Sequence, residues 1–322
     1  MKKITALILA LLLLLSLIGC NSSRKDESGK KLSVICTIFP QYDFLRNIAG
    51  DLVDLKMLVP FGMESHDFSL ESLTVADVRN IGASQLVVYT GGESDSKWIN
   101  ELKSSVRGNT KWIALTDIVE PLSEIMSDSM NHAHEHEHEH EHGDEHEETD
   151  EHVWTSPKRA IEIVDFLADE LAELDADNAD VYRENAEKYK SELAELDSEL
   201  ESTVSASKRK TLIFADRFPF RYLCADYGLS FDAAFPGCSS SADPSVVQIE
   251  SLVKSAVEAQ AKVIFYMENS KQVYARQIAA KVGAETLLLH SCHQITKEQF
   301  NSGISYTELM KNNINNIKEA LL

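Results

Sequence analysis

The sequence is poor in basic residues. Its 322 residues include 31 Lys and Arg against 52 Asp and Glu, which gives a formal net charge of −21. Such a charge repels phosphate and argues against a nucleic-acid partner, whereas it suits a cationic ligand. The hydrophobic content of 43% is ample for two cores, and the length favours two domains.

Long apolar runs are scarce, and the clearest lies at the N-terminus. Residues 4–18 are almost wholly apolar, but about 15 residues are fewer than the roughly 20 that a membrane-spanning helix needs. The letters LIGC at 17–20, where this run ends, resemble the lipobox of bacterial lipoproteins. In that family the chain is cleaved before the cysteine, and the cysteine thiol then carries lipid. We therefore expect a signal peptide, 1–19, and a lipidated tether, 20–31, on the extracytoplasmic face of the cell membrane. An uncleaved anchor is the alternative.

Cysteine is also scarce, with five residues in the chain. Lipidation uses Cys20, and the other four lie outside the cytoplasm, where a disulfide can persist. Three full pairings are possible, and free buried thiols are an alternative. These four residues are Cys36, Cys224, Cys238 and Cys292.

Strand and helix signals alternate along most of the chain. Short runs rich in valine and isoleucine predict strands at 32–38, 53–59, 86–90, 112–116, 211–216, 229–235, 263–268 and 286–290. Amphipathic stretches predict helices at 41–50, 70–81, 95–106, 217–226, 245–259, 271–282 and 305–321. This alternation predicts an α/β protein of two lobes, 32–130 and 205–322, each a mainly parallel sheet with covering helices.

The alternation stops between the two predicted lobes. Residues 131–152 carry few large apolar side chains, so we expect a disordered loop rich in His and Glu. Ser156 and Pro157 then form a helix start, and a predicted helix pair occupies 153–204. The second helix, about 25 residues long, extends for roughly 35–40 Å. It therefore either links the lobes or packs on one of them.

Four of the 11 histidines lie away from the loop's main run. They are His66, His152, His290 and His293. His66 and His290 each follow a predicted strand end, one in each lobe, where open parallel sheets bind ligands. A single histidine is usually structural, but several at comparable positions predict a metal site in the cleft between the lobes. Imidazole nitrogen favours Zn²⁺ over Mn²⁺.

Several motifs resemble the substrate-binding lipoproteins of bacterial zinc and manganese ABC importers, over roughly residues 32–322. They are IFPQYDFLRNIAGD, LVPFGMESHDFSLES, LVVYTGG, the acidic histidine loop and DEHVWTSP, in that order. His66 matches the family's first ligand, in a G-x-E-P-H segment, with Ser65 in place of the proline. His152 matches its second ligand, in a D-P-H-x-W-x-S-P segment. The resemblance implies a monomer that captures Zn²⁺, or alternatively Mn²⁺, and delivers it to a membrane permease.

The C-terminal half departs from that pattern. The family's third histidine, in an F-H-D segment, corresponds to Ala215, and its L-D aspartate corresponds to His290. We expect His290 to supply the imidazole lost at Ala215, with His293, Asp216, Glu64 or a water in the remaining position. Cys292 either binds the metal, pairs with Cys238 or packs, and a structural role is favoured for both cysteines.

The histidine–glutamate run has a function in this scheme. Its histidines are His132, His134, His136, His138, His140, His142 and His146. We expect them to collect Zn²⁺ weakly and pass it to His152, although a solvated spacer is the alternative. The run also fits H-E-x-x-H, but that motif requires a helix in a packed site. A zinc-dependent hydrolase is the second functional hypothesis, and an adhesin is the third.

Overall fold

A computed structural model describes residues 31–131, 149–237 and 243–322. The predicted signal peptide, Cys20, the seven histidines of the run and Cys238 lie outside the described residues. Residues Leu32–Leu322 form one compact unit. No helix among the residues described is both long enough and apolar enough to span a membrane.

The N-terminal lobe is built on a four-stranded parallel sheet of order β2-β1-β3-β4. Its strands are β1 (Leu32–Cys36), β2 (Val53–Met57), β3 (Leu86–Tyr89) and β4 (Lys111–Ala114). Its helices are α1 (Phe39–Ala49), α2 (Val75–Ala83) and α3 (Glu93–Ser105). The strands are short and rich in Val, Ile and Leu, and β3 is buried throughout, as expected for a sheet that helices cover on both faces.

The C-terminal lobe repeats this topology with the strand order β6-β5-β7-β8, again all parallel. Its strands are β5 (Thr211–Phe218), β6 (Ser230–Pro236), β7 (Val263–Tyr266) and β8 (Glu285–Leu288). A helix α4 (Asp128–Asn131) precedes the helix pair, α5 (Pro157–Leu174) and α6 (Ala179–Ala206). The remaining helices are α7 (Arg221–Tyr227), α8 (Val246–Glu258), α9 (Val273–Val282), α10 (Lys297–Asn301) and α11 (Tyr306–Leu321).

Helix α6 links the two lobes. It has 28 residues, which corresponds to about 42 Å at 1.5 Å per residue. It packs against α1 of the N-terminal lobe and α11 of the C-terminal lobe. Its Asn185 donates a hydrogen bond to the Ile48 carbonyl (3.0 Å). The prediction of two parallel α/β lobes joined by a long helix is therefore confirmed.

A buried carboxylate joins these three elements. Asp43 of α1 accepts hydrogen bonds from the Tyr306 backbone N–H (3.0 Å) and the Tyr189 hydroxyl (2.9 Å). It also pairs with Arg46, 2.5 Å away. Burial raises the pKa of Asp43, although Arg46 and the hydrogen bonds oppose the shift. This contact ties both lobes to α6 and restricts wide hinge motion.

Several local features differ from the sequence prediction. Strand β5 runs on to Phe218, through an irregularity in its pairing between Phe214 and Arg217. Helix α4 was not predicted because four residues show no periodicity; the contacts of Ser129 with Asp232 of β6 hold it in place. The described end of the predicted disordered loop, 149–152, is ordered, and its last three side chains are buried.

Candidate metal centre

Three histidines from distant parts of the chain converge on one point. His66, His152 and His293 each offer a ring nitrogen, and these nitrogens all lie within 4.8 Å of one another. The ring centroids are 6.3 Å apart for His66 and His152, 5.7 Å for His66 and His293, and 5.9 Å for His152 and His293. Within the described ranges, this is the one group of three or more potential ligands that lies so close together.

His66 lies on a short 3₁₀ helix, Ser65–Asp67, beyond the carboxyl end of β2. Its Nε2 is 3.7 Å from Glu151 Oε1. Burial lowers the pKa of His66, while Glu151 opposes that shift. The imidazole is therefore neutral near neutral pH and available to bind a metal.

His152 lies directly before the 3₁₀ helix Val153–Thr155, and it is 1% exposed. Asp150 Oδ1 accepts its backbone N–H (2.8 Å) and lies 3.2 Å from its Nδ1. Burial lowers the pKa of His152, but the nearby Asp150 carboxylate raises it and prevails. A carboxylate that binds one ring nitrogen orients the other nitrogen toward a metal. Gly237 packs on this ring, because a Cβ there would lie 2.9 Å from His152 Cε1.

His293 comes from the loop that follows β8, two residues after Ser291. Its backbone N–H donates to Ser291 Oγ (3.1 Å), and its Nε2 lies 2.6 Å from Ser65 Oγ. Burial lowers the pKa of His293 well below its ordinary value, and His152, His66 and Arg217 add to that effect. The indole ring of Trp154 lies 5.4 Å from its ring, centroid to centroid. The contact with Ser65 joins the N-terminal lobe to the C-terminal one.

His290 does not join the cluster, so the expectation that it supplies the third imidazole is corrected in favour of His293. Its Nδ1 accepts the backbone N–H of Cys292 (3.0 Å) and lies 3.7 Å from Glu268 Oε2. Cys292 has φ 61°, in the left-handed region. This turn leaves His290 against Glu268 and brings His293 to the cluster.

The other candidates for the remaining coordination position also lie outside the cluster. Glu64 pairs with Arg217 (3.0 Å) and accepts a hydrogen bond from Gln294. Asp216 Oδ2 is 3.4 Å from the backbone nitrogen of Met267. Ala215 lies within the β5 irregularity and is buried. The described cysteines, Cys36, Cys224 and Cys292, are free buried thiols.

Glu151 was not among the residues predicted from the sequence to form the site. It stands at the end of an acidic run, where a solvated side chain is expected, yet it is 1% exposed. Its Oε2 accepts the backbone N–H of Ser94 (3.0 Å). One signal was available: Glu151 directly precedes His152, at the position of the proline in the D-P-H segment.

The donor set suits a zinc-sized dication. Ligand nitrogens 2.0–2.1 Å from a tetrahedral Zn²⁺ are about 3.4 Å apart. The three nitrogens, all within 4.8 Å of one another, would therefore move by roughly 1 Å or less each to reach such a site. Three imidazoles in these positions leave a fourth coordination position for a water or a carboxylate.

The chain is similar in sequence and in fold to known zinc-uptake and zinc-binding proteins. Residues 34–320 match the family model described as ZnuA, "Zinc-uptake complex component A periplasmic". The high-affinity zinc uptake system protein ZnuA of Bacillus subtilis is 31% identical over 306 residues, covering 94% of this chain and 92% of that protein. The zinc-binding lipoprotein AdcA of Streptococcus pneumoniae is 30% identical over 323 residues, covering 99% of this chain.

This chain spans only 61% of the length of AdcA. The crystal structure of the Zn(II)-bound ZnuA-like domain of S. pneumoniae AdcA has a TM-score of 0.72 and is 26% identical. That match covers 90% of this chain and 99% of the domain. The chain therefore belongs to the ZnuA family of zinc-uptake complex components.

Proposed function

We propose that this protein is an extracytoplasmic lipoprotein that captures Zn²⁺ between its lobes and delivers it to an ABC permease. The observation that carries the proposal is the convergence of His66, His152 and His293. Two of these histidines are supplied before helix α6 and one after it, so a bound ion would join the lobes. The printed names of relatives, a zinc uptake protein and a zinc-binding lipoprotein, support the same function.

Zinc suits the site better than manganese does. The cluster consists of imidazoles, whereas Mn²⁺ prefers carboxylate and carbonyl oxygens. The manganese-binding alternative is therefore the weaker one. A zinc-dependent hydrolase is not favoured, because the family is a metal-uptake component. An adhesin role stays a prediction.

Capture needs only a small closure. The imidazoles are already close together, and the contacts of Asp43 hold the lobes to α6. Zn²⁺ exchanges part of its hydration shell for ring nitrogens, which draw inward around it. Release then requires the permease to separate the ligands, or protonation of the histidines.

The remaining parts of the proposal come from the sequence. The lipid on Cys20 would hold the protein at the cell membrane beside its permease. The histidines of the run, from His132 to His146, would raise the local supply of Zn²⁺ near His152. Each imidazole there would bind weakly, and the glutamates would attract the cation.

Anaerobic calorimetric titration with Zn²⁺ tests the proposal. The mature full-length protein should bind one ion tightly and several weakly. Deletion of 132–146 should remove the weak sites and spare the tight one, whereas His66→Ala should abolish the tight one. If both variants lose the same sites, the pocket between the lobes does not exist. Chelator-sensitive hydrolysis of an ester or peptide would favour the enzyme instead.

A further inference from the structure

Glu151 presents a buried carboxylate oxygen to the histidine cluster. Its Oε2 accepts the N–H of Ser94, in the first turn of α3, and its Oε1 lies 3.7 Å from His66 Nε2. Within the described part of the chain, Oε1 has no hydrogen-bond partner. Burying a carboxylate oxygen without a hydrogen-bond partner lowers the stability of the folded protein. A cation bound nearby would offset that cost.

The position of this carboxylate is fixed by its surroundings. Gly92 lies against it, because a Cβ on Gly92 would be 2.0 Å from Glu151 Oε2 and 2.3 Å from Glu151 Cβ. The residues on either side of Glu151 are also held in place. The Asp150 backbone N–H donates to the Leu122 carbonyl, and the His152 backbone N–H donates to the Asp150 carboxylate. The side chain is therefore packed against Gly92, and the backbone on both sides of it is held by hydrogen bonds.

Three other described carboxylates near the cluster are already paired or lie in water. Asp150 is occupied by His152, and Glu64 is occupied by Arg217. Asp67, next to His66, is exposed to water. A dication held by three neutral imidazoles keeps its whole charge in a region of low dielectric, where a nearby carboxylate stabilises it strongly.

We propose that Glu151 is the anionic positioning residue of the zinc site: it orients His66 and offsets the charge of the bound ion without coordinating it. This proposal rests on the proposed function. Glu151 is not among the residues whose ligand atoms all lie within 4.8 Å of one another. This position indicates that it acts on the ion from outside the set of coordinating atoms. Partners of this kind typically contribute 10–100-fold to metal affinity.

Glu151→Gln tests the proposal, because Gln keeps the shape and an oxygen that accepts the Ser94 N–H. We expect Zn²⁺ affinity to fall by about 10–100-fold, while the metal-free protein unfolds at the same or a higher temperature. A purely structural Glu151 would give the reverse: a lower unfolding temperature without metal and unchanged affinity.

Two further variants make the test independent of folding. Asp67→Asn removes an exposed carboxylate beside His66 and should change affinity by less than about twofold, because water screens that charge. Glu151→Asp keeps the charge but alters the shape, so it should bind Zn²⁺ more tightly than Glu151→Gln. If Glu151→Gln binds more tightly than Glu151→Asp, charge is not the cause and the proposal is wrong.

The visible absorption of Co²⁺ bound in place of Zn²⁺ distinguishes an outer residue from a ligand. We expect the same spectrum from the wild type and Glu151→Gln at saturation, because the coordinating atoms are unchanged. A different spectrum would overturn the outer position. Absence of a tight Zn²⁺ site in the wild type would instead overturn the proposed function, so the two failures are distinguishable.

Discussion

The two lobes share one sheet topology but meet the histidine cluster in different ways. In the N-terminal lobe, buried polar side chains join the segments after β1 and β3 in one hydrogen-bond network. In the C-terminal lobe, the end of β5 and the loop after β7 line open cavities. We call the first of these two regions the fixed wall and the second the open side, and we expect the open side to be the more adaptable one.

The fixed wall is a hydrogen-bond network around Asp95. Its carboxylate accepts the backbone N–H groups of Thr90 (2.6 Å) and Gly91 (2.9 Å). Gln41 accepts the Thr37 N–H (2.8 Å), and its amide lies 3.4 Å from Thr90 Oγ1. Thr37, Gln41, Thr90 and Asp95 are all buried. The network therefore holds the ends of β1 and β3 together, beside Gly92 and the Glu151 that packs on it.

The open side contains two neighbouring cavities. One, of about 300 Å³, is lined by His290, Glu268 and Gln294, among others. The second, of about 520 Å³, is lined by Glu64, Asp216 and Glu268 among others, and the Met267–Ser270 segment borders both. Several of these side chains are acidic, which favours the approach of a cation.

The largest expected effect tests the contribution of the C-terminal lobe. We expect His293→Ala to weaken Zn²⁺ binding by about 100–1,000-fold, because one of four ligands carries about a quarter of the roughly 10–16 kcal/mol of a protein zinc site. His290→Ala should stay within about threefold of the wild type, since His290 contacts Glu268 and Cys292 instead. Competition titration with a chelating dye measures both.

The opposite ranking of these two variants would return the ligand role to His290. It would also mean that the turn at Cys292 differs when metal is bound. Equal losses would indicate that the whole loop after β8, rather than one imidazole, sets the affinity.

The next effect concerns the joint between the lobes. We expect Asp43→Ala to lower the free energy of unfolding by about 2–4 kcal/mol, because it leaves the Tyr306 N–H, the Tyr189 hydroxyl and Arg46 without their acceptor. Asp54→Ala removes an exposed pair with Lys56 and should cost less than about 0.5 kcal/mol. Urea denaturation measures both, and equal values would show that the lobes do not depend on this contact.

The smallest effect concerns the fixed wall. Burial raises the pKa of Asp95 from 3.8 to about 7, although the hydrogen bonds from Gly91 and Thr90 oppose the shift. Between these values the folded protein holds a proton that the unfolded chain has lost, so stability falls as the pH rises. The wild type should lose about 1 kcal/mol per pH unit relative to Asp95→Asn between pH 5 and 7, with the loss levelling off above pH 7.

Urea midpoints at pH 5, 6, 7 and 8 measure that difference. Parallel curves for the wild type and Asp95→Asn would mean that Asp95 ionises normally. Such a result would also remove the main reason to regard the fixed wall as more rigid than the open side.

Much of the fold could be predicted from the sequence. All eight strands were expected, because short runs of valine and isoleucine between amphipathic helices are typical of parallel sheets. His66 and His152 were identified from local motifs, and the structure brings them together. The domain boundaries proposed from the sequence, including 131–152, stay predictions.

The rest depended on conformations that the sequence does not reveal. His290 and His293 are three residues apart, and the left-handed turn at Cys292, unusual for a residue other than glycine, brings His293 to the cluster. Glu151 looks solvated in an acidic run, and only its packing on Gly92 reveals that it is buried. The composition around Glu151 does not indicate its contact with Gly92, which lies 59 residues earlier in the chain.

The longer stretch that contains the histidine–glutamate run is closed at its base, between residues 122–123 and 149–150. Ser123 pairs with Thr149, the Asp150 N–H donates to the Leu122 carbonyl (2.9 Å), and the Tyr222 hydroxyl donates to the Asp150 carbonyl (3.0 Å). For any flexible connection whose ends are joined in this way, doubling the number of residues costs about 0.6 kcal/mol. Adding or removing histidines in such a connection would therefore change the free energy of folding only slightly. Their number could then evolve with the supply of Zn²⁺, independently of the stability of the two lobes.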